Sequence, residues 1–238
     1  MSDAQKDILA ELSTAAAALG LLLRGGFHCR PEDAVPALPD GRPAASLVLL
    51  GNAGASLWPA FSTAPERRDG RKDPLDRWSA RVIDSLAARF GAVALFPFGG
   101  PPYLPFQRWA LRAEGLSPSP LGMLIHPTYG LWHAYRGALT FAAALPLAPR
   151  QAAPSPCETC AEKPCLSACP VGAFDGRGYD VPACVKHIAS PAGGDCMRGS
   201  CLARRACPVG LGYRYEADQA AFHMETFLAA RVSAKERT

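Results

Sequence analysis

Eight of the nine cysteines fall in two runs. The first is Cys157, Cys160, Cys165 and Cys169, followed by Pro170. The second is Cys184, Cys196, Cys201 and Cys207, followed by Pro208. Both runs close on Cys-Pro-Val-Gly, at 169–172 and 207–210, so the segment is an internal repeat of a metal-ligand module. Thiolates in this pattern suit a cubane iron-sulfur cluster, which needs four of them converging on its iron corners. Three close cysteines turn a short loop around one cluster. The fourth, just before a proline, points away and ligates the other. That logic predicts two 4Fe-4S clusters. One takes Cys157, Cys160, Cys165 and Cys207; the other takes Cys169, Cys184, Cys196 and Cys201.

The pattern reads as a two-cluster ferredoxin, with looser spacing than the compact bacterial form. Four residues separate Cys160 from Cys165, and four and five separate Cys196, Cys201 and Cys207. Two zinc ions are the main alternative for eight thiols. The interlocked repeat and its Cys-Pro endings argue against them. A disulfide framework would need an export signal, and the opening Met1-Ser2-Asp3-Ala4-Gln5-Lys6-Asp7 has no cationic lead. The apolar stretch 15–23 is too short to span a membrane. The expected location is the cytoplasm, where thiols stay reduced. Cys29 stands outside both runs and reads as a small buried hydrophobe.

The chain has 238 residues, enough for one sizeable domain and a small one. At 49% hydrophobic residues a core can form. The net charge of +4 is too small to predict a nucleic-acid partner. Residues 4–24 read as a helix stopped by Gly25-Gly26. Residues 30–43 form a proline-rich connection, and 46–50 a buried strand. Asp73-Pro74 starts a helix, with Asp73 as N-cap acceptor. Leu75, Trp78, Val82, Ile83, Leu86 and Phe90 fall on its apolar face, and Gly91 closes it. Strands are expected over 93–98 and 121–125, and a short helix over 107–115. Residues 137–146 fit strand or helix, and their alanines favour helix. Residues 146–156, rich in proline and alanine, mark a domain boundary. A last helix covers 216–231, with Phe222, Phe227 and Leu228 as docking residues. The expected organisation is an α+β domain over 1–150, a cluster domain over 151–215, and a C-terminal helix and tail over 216–238.

A second stretch, 121–138, has the composition of a binding site. It holds His126-Pro127, then Gly130, Trp132, His133 and Tyr135, and one arginine, Arg136, in apolar surroundings. The aromatic residues suit either ordinary core or the face of a large flat cofactor. Arg136 calls for an anionic partner. His126 before a proline reads most simply as a turn histidine, and His133, His187 and His223 as ordinary packing residues.

The stretch Ile125-His126-Pro127-Thr128-Tyr129-Gly130-Leu131-Trp132, followed by Arg136-Gly137, resembles the signature of the cobalamin-processing CblC family. Gly26-Phe27, Leu38-Pro39, the strand over 46–50 and Asp73-Pro74-Leu75-Asp76 follow that family's order, so the resemblance spans roughly 26–145. It implies a nitroreductase-like α+β fold and a corrinoid pocket shaped by His126, Pro127, Gly130 and Trp132, with Arg136 as anion anchor. The whole chain resembles the epoxyqueuosine reductase family, which places a CblC-like domain before a bacterial-ferredoxin-like domain with two 4Fe-4S clusters. The cysteine order from Cys157 to Cys207 matches, with Cys184 as the isolated cysteine.

Together these readings predict an oxidoreductase. Its clusters would pass electrons to cobalamin in the same chain, for cobalamin reduction or a corrinoid-dependent reduction. The expected partners are a corrinoid and a low-potential electron donor, such as a flavodoxin, a ferredoxin or a reductase. No membrane is expected. The alternatives are a ferredoxin-type carrier whose first domain only docks it, and a cobalamin carrier with structural clusters. Arg204 and Arg205, beside Cys207, are either solvated or positioned to raise the local potential and attract an acidic donor.

Overall fold

The structure, a computed structural model, describes residues 3–235. It is mixed α and β, and the chain divides into two compact units. Met1–Gly115 and His133–Ala153 form the first; Leu116–Trp132 and Pro154–Thr238 form the second.

The first unit is built on a four-stranded antiparallel sheet. Its elements are α1 (Asp3–Ala17), β1 (Leu22–His28), β2 (Ser46–Ala53), α2 (Pro74–Phe90), β3 (Val93–Leu95), α3 (Phe106–Ala113) and β4 (His133–Phe141). The strand order is β1-β2-β4-β3. All of β2 is buried, which suits its apolar run Leu47-Val48-Leu49-Leu50. On α2, Leu75, Trp78, Val82, Ile83 and Leu86 are buried, as their helical spacing requires. Each such side chain contributes about 1.5–3 kcal/mol when taken out of water.

Several local expectations change. The helix expected over 4–24 ends at Ala17, a turn follows over 18–20, and β1 begins at Leu22. Gly25-Gly26 is not a helix stop but the irregular point of β1, where its register against β2 shifts. Gly25 has φ +68°, and a Cβ on Gly26 would lie 2.5 Å from the Leu47 carbonyl oxygen. Asp73 sits in the left-handed region, and its carboxylate caps nothing at the start of α2. Residues 133–141 are a strand, β4, paired with β2 on one side and β3 on the other. The strands expected over 93–98 and 121–125 shorten to Val93–Leu95 and Leu124–Ile125.

The second unit is made of short helical turns and one long C-terminal helix around two small cores. A two-stranded ladder, Ser117–Pro118 with Leu124–Ile125, supplies Leu121 and Ile125 to a core that also holds Leu131, Phe174, Cys165 and Cys207. The other core joins Ile188, at the end of α4 (Val181–Ile188), with Cys196 and with Met224 of α5 (Ala217–Lys235). Phe227 and Leu228 pack against that core, and Phe222 is buried. No helix among the described residues is long and apolar enough to cross a membrane.

Candidate functional site

The cysteines are placed by helical turns of four to eight residues, most begun by a proline in the first turn, where a missing N–H costs nothing. Ser155 caps the first turn by accepting from the Cys157 N–H, at 3.4 Å. Asp180 caps α4 by accepting from the Ala183 N–H, at 2.9 Å, and so fixes the turn that carries Cys184.

Two groups of four result. Cys157, Cys160, Cys165 and Cys207 line one narrow cleft, with Ile125, Pro164 and Pro208. Cys169, Cys184, Cys196 and Cys201 line a larger cavity of about 520 Å³, with Phe174, Tyr179, His187 and Met224. All eight are free thiols. Each group therefore takes a cysteine from the other run, Cys207 crossing one way and Cys169 the other.

The electrostatics follow the same division. Burial pushes the Cys157 thiol up, and Cys207, Cys165 and Cys160 push it further. Cys165 is raised by burial, then by Cys207 and Cys160. In the second group burial raises Cys184, and Cys169 and Cys196 add to it. Cys201 is raised by burial, with Cys196 and Cys184 contributing. Crowded sulfurs that resist joint ionisation suit a cationic core, which would bind them as thiolates. A backbone donor is already in place at Cys169, whose sulfur accepts from the Ala173 N–H at 3.4 Å.

Among the described residues, no three His, Cys, Asp or Glu side chains are gathered to hold a single metal ion. Tetrahedral zinc, with Zn–S bonds of about 2.3 Å, would draw its sulfurs to roughly 3.8 Å of one another. The two groups of four thiols, interlocked by Cys169 and Cys207, have the donor count that two cubane clusters need.

The segment 126–132 belongs to this same unit. His126 and Gly130 exchange two backbone hydrogen bonds of 2.9 Å. His126 Nδ1 accepts from the Thr128 and Tyr129 N–H groups, and its ring stacks on Tyr129. The imidazole is thus engaged in its own turn, behind Pro127. Gly130 lies against Val209, and Trp132 is 1% exposed. Arg204 donates through Nε and Nη2 to the Leu131 carbonyl, at 3.1 and 2.7 Å. Its guanidinium lies 4.2 Å from the Trp132 ring centre and 4.5 Å from that of Tyr215. Arg205 pairs with Asp195 at 2.6 Å. Neither arginine is simply solvated.

The aromatic patch expected at Trp132, His133 and Tyr135 is divided. Trp132 packs in the second unit. His133 and Tyr135 belong to the first, as does Arg136. The carboxylate partner that Arg136 needs is Asp76, at 2.5 Å, and Ser79 Oγ accepts from its Nε at 2.9 Å. Arg136 is therefore an internal ion pair of the first unit, formed between β4 and α2. Cys29, expected to be a buried hydrophobe, is only half-buried, and burial pushes its thiol up.

Reading the sequence missed a buried polar network in the first unit. Arg24, 1% exposed, donates to both Glu114 oxygens, at 2.9 and 2.7 Å, and to the Asn52 carbonyl at 3.0 Å. Tyr135 donates to Glu114 Oε2 at 2.5 Å, and His133 Nδ1 is 3.3 Å from Arg24. Burial pushes the Tyr135 phenol up. No short-range signal could have found it, because Arg24 and Glu114 are 90 residues apart. Glu114→Ala leaves the guanidinium buried without its carboxylate, and is expected to cost about 3 kcal/mol or more. Urea denaturation checks this; a loss under about 1 kcal/mol would show that water or Asn52 suffices.

No family model matches the chain, and no curated protein sequence does. Solved structures do. The C. elegans B12-trafficking protein CblC superposes with a TM-score of 0.54 at 12% identity, covering 95% of this chain and 95% of that one. Epoxyqueuosine reductase from Streptococcus thermophilus gives 0.52 at 15% identity, over 90% of this chain and 68% of that one. A selenomethionine-labelled epoxyqueuosine reductase gives 0.50 at 18%, over the same shares. At these identities the likeness is one of fold: the chain is built like CblC and epoxyqueuosine reductase.

Proposed function

We propose that this protein is an iron-sulfur oxidoreductase that carries electrons through two 4Fe-4S clusters to a corrinoid in the same chain. The observation that carries the reading is the division of eight cysteines into two interlocked groups of four, each lining its own cavity. Bound there, the clusters would supply one-electron transfer, and the corrinoid would supply the reducible cobalt. The chain's own work is binding and tuning. The cysteines would hold the iron, the Ala173 N–H would offset thiolate charge at Cys169, and Phe174, Ile188 and Met224 would give the second group an apolar lining. The corrinoid part is supported by the fold shared with a B12-trafficking protein.

A second reading is an electron carrier whose first unit only docks it. It is favoured by the side chains expected around a corrinoid, which are already engaged: Trp132 is buried under Arg204, Arg136 is held by Asp76, and His126 by its own turn. One experiment separates the two. The chain is reconstituted anaerobically with iron and sulfide, and hydroxocobalamin and dithionite are added. Corrinoid function predicts the spectrum of base-off cobalamin, then cobalt reduction faster than in a cluster-free control. An unchanged cobalamin spectrum leaves the carrier.

A further inference from the structure

The chain leaves the first unit at Gly115 and returns to it at His133, and the segment between, Leu116–Trp132, belongs to the second unit. One buried side chain of the first unit holds both crossings. Arg24 lies on β1 where the register against β2 shifts, between Leu23 and Gly26. A bulge of this kind re-aims the side chain it carries. It also brings the backbone close to α3: a Cβ on Gly25 would lie 2.7 Å from the carbonyl oxygen of Ala113, the last residue of that helix. The fork of Arg24 then meets both carboxylate oxygens of Glu114, the residue before Gly115, at 2.9 and 2.7 Å. The same Nη2 lies 3.3 Å from Nδ1 of His133, the first residue after the segment. A guanidinium only donates, so this nitrogen accepts and the imidazole carries its proton on Nε2. Nη1 donates to the Asn52 carbonyl on β2, and the Tyr135 hydroxyl on β4 donates to Glu114 Oε2. With Arg24 1% and Glu114 14% exposed, salt screens the pair little.

We propose that Arg24 is a positioning residue for the inserted segment: by pinning Glu114 and His133 to one guanidinium it sets where 116–132 leaves and re-enters, and so where Gly130 meets Val209. Bringing the two ends of a flexible segment together costs entropy, and a fixed pair of ends removes that cost. Inside the second unit the segment gives Leu121, Ile125 and Leu131 to the core that holds Cys165 and Cys207. Its Gly130 backbone rests against Val209, two residues beyond Cys207. Freed ends let this contact open more often without unfolding the rest of the unit. Arg24 acts through Glu114 and His133, and the planar fork matters as much as the charge. A lysine at 24 is a point donor, and it cannot meet two carboxylate oxygens and an imidazole in this fixed geometry. What the positioning means for iron rests on the cluster reading; the positioning itself does not.

The test is hydrogen exchange read by mass spectrometry, on the full chain reconstituted with iron and sulfide. The reporters are the His126 and Gly130 amides, which donate to each other's carbonyls. Arg24→Met keeps an unbranched side chain and removes the fork. It is expected to exchange about tenfold faster over 121–132 and at the wild-type rate over α5, since breaking a buried pair costs far more than this local opening requires. Glu66→Gln is the control: it breaks another ion pair of the first unit, Glu66 with Arg81, that includes neither crossing residue. It is expected to lower the urea midpoint and leave 121–132 at the wild-type rate. Unchanged exchange in Arg24→Met overturns the proposal, as does a segment already unprotected in the wild type. Faster exchange over α5 as well, or over 121–132 in Glu66→Gln, is general loosening and overturns it too. Should Arg24→Met not fold, Tyr135→Phe removes only the hydroxyl on Glu114 and is expected to speed the same peptide alone; no change there is equally fatal. Iron is counted on the same samples. A wild type without iron brings down the cluster reading, while the exchange rates still decide the role of Arg24.

Discussion

Cys207→Ala is expected to remove the same iron as Cys157→Ala, although Cys201 is far nearer to Cys207 in the chain. The reason is the crossing of the two runs. Cys207 lines the cleft of Cys157, Cys160 and Cys165, and among the cysteines it raises the Cys157 thiol most. Cys201 lines the other cavity, with Cys169, Cys184 and Cys196. Pro208 follows Cys207 as Pro170 follows Cys169, so each crossing occurs at a Cys-Pro step. A reconstituted wild-type chain should hold about eight irons and eight sulfides, and each single variant about four. The two paramagnetic signals make the comparison sharp. Cys157→Ala and Cys207→Ala should lose one signal, and Cys169→Ala and Cys201→Ala the other. If Cys207→Ala loses the signal that Cys201→Ala loses, each run ligates its own cluster and the interlocked arrangement is wrong.

The cysteine repeat was legible in the sequence because spacing is a local property, repeated here in two runs with the same ending. The strands were less legible for the same reason in reverse. Residues 18–23 are apolar under either periodicity, so a helix read from α1 runs on through them. The turn falls instead at Gly20, where φ is +72° and a Cβ would lie 2.2 Å from the Ser56 carbonyl oxygen. Tertiary contact decides that position, and propensity does not see it. β4 is similar. Its small residues favour helix in isolation, but Gly137 has Ile83 and the Leu95 carbonyl close against it, a fit only a small residue allows.

The candidate site divides along the same line. That Arg136 needs an anion follows from its apolar neighbours; that the anion is Asp76, 60 residues earlier, does not. The pairing of Arg24 with Glu114 has no sequence signal either. The segment 126–132 was the hardest to read. Its residue types suit a pocket, and its side chains also engage their own unit. His126 closes the turn, Arg204 grips the Leu131 carbonyl across 73 residues, and Trp132 lies beneath that arginine. Residue types alone do not distinguish an aromatic residue that faces a ligand from one that faces a buried guanidinium.

Gly130→Ala is therefore expected to act on iron. Gly130 has φ +59°, and a Cβ there would lie 2.1 Å from the Val209 carbonyl oxygen and 2.7 Å from its carbon. The contact is mutual, since a Cβ on Gly210 would lie 2.3 Å from the Tyr129 carbonyl oxygen. Backbone meets backbone here, so no side-chain rotamer relieves the clash, and one strand of chain must move by about an ångström to restore ordinary contact. Val209 is two residues beyond Cys207 in the chain, so the two move together. Moving it displaces a ligand of the first group. The variant should bind about four irons in place of about eight and lose the signal that Cys157→Ala loses. The left-handed strain alone, about 1–2 kcal/mol for any residue with a Cβ, must be separated from this. Gly122→Ala does so: Gly122 lies in the same unit with φ +75° and nothing within 4 Å of a Cβ. It should keep both signals. A Gly130→Ala chain with full iron and both signals would show that the contact with Val209 does not hold Cys207 in place.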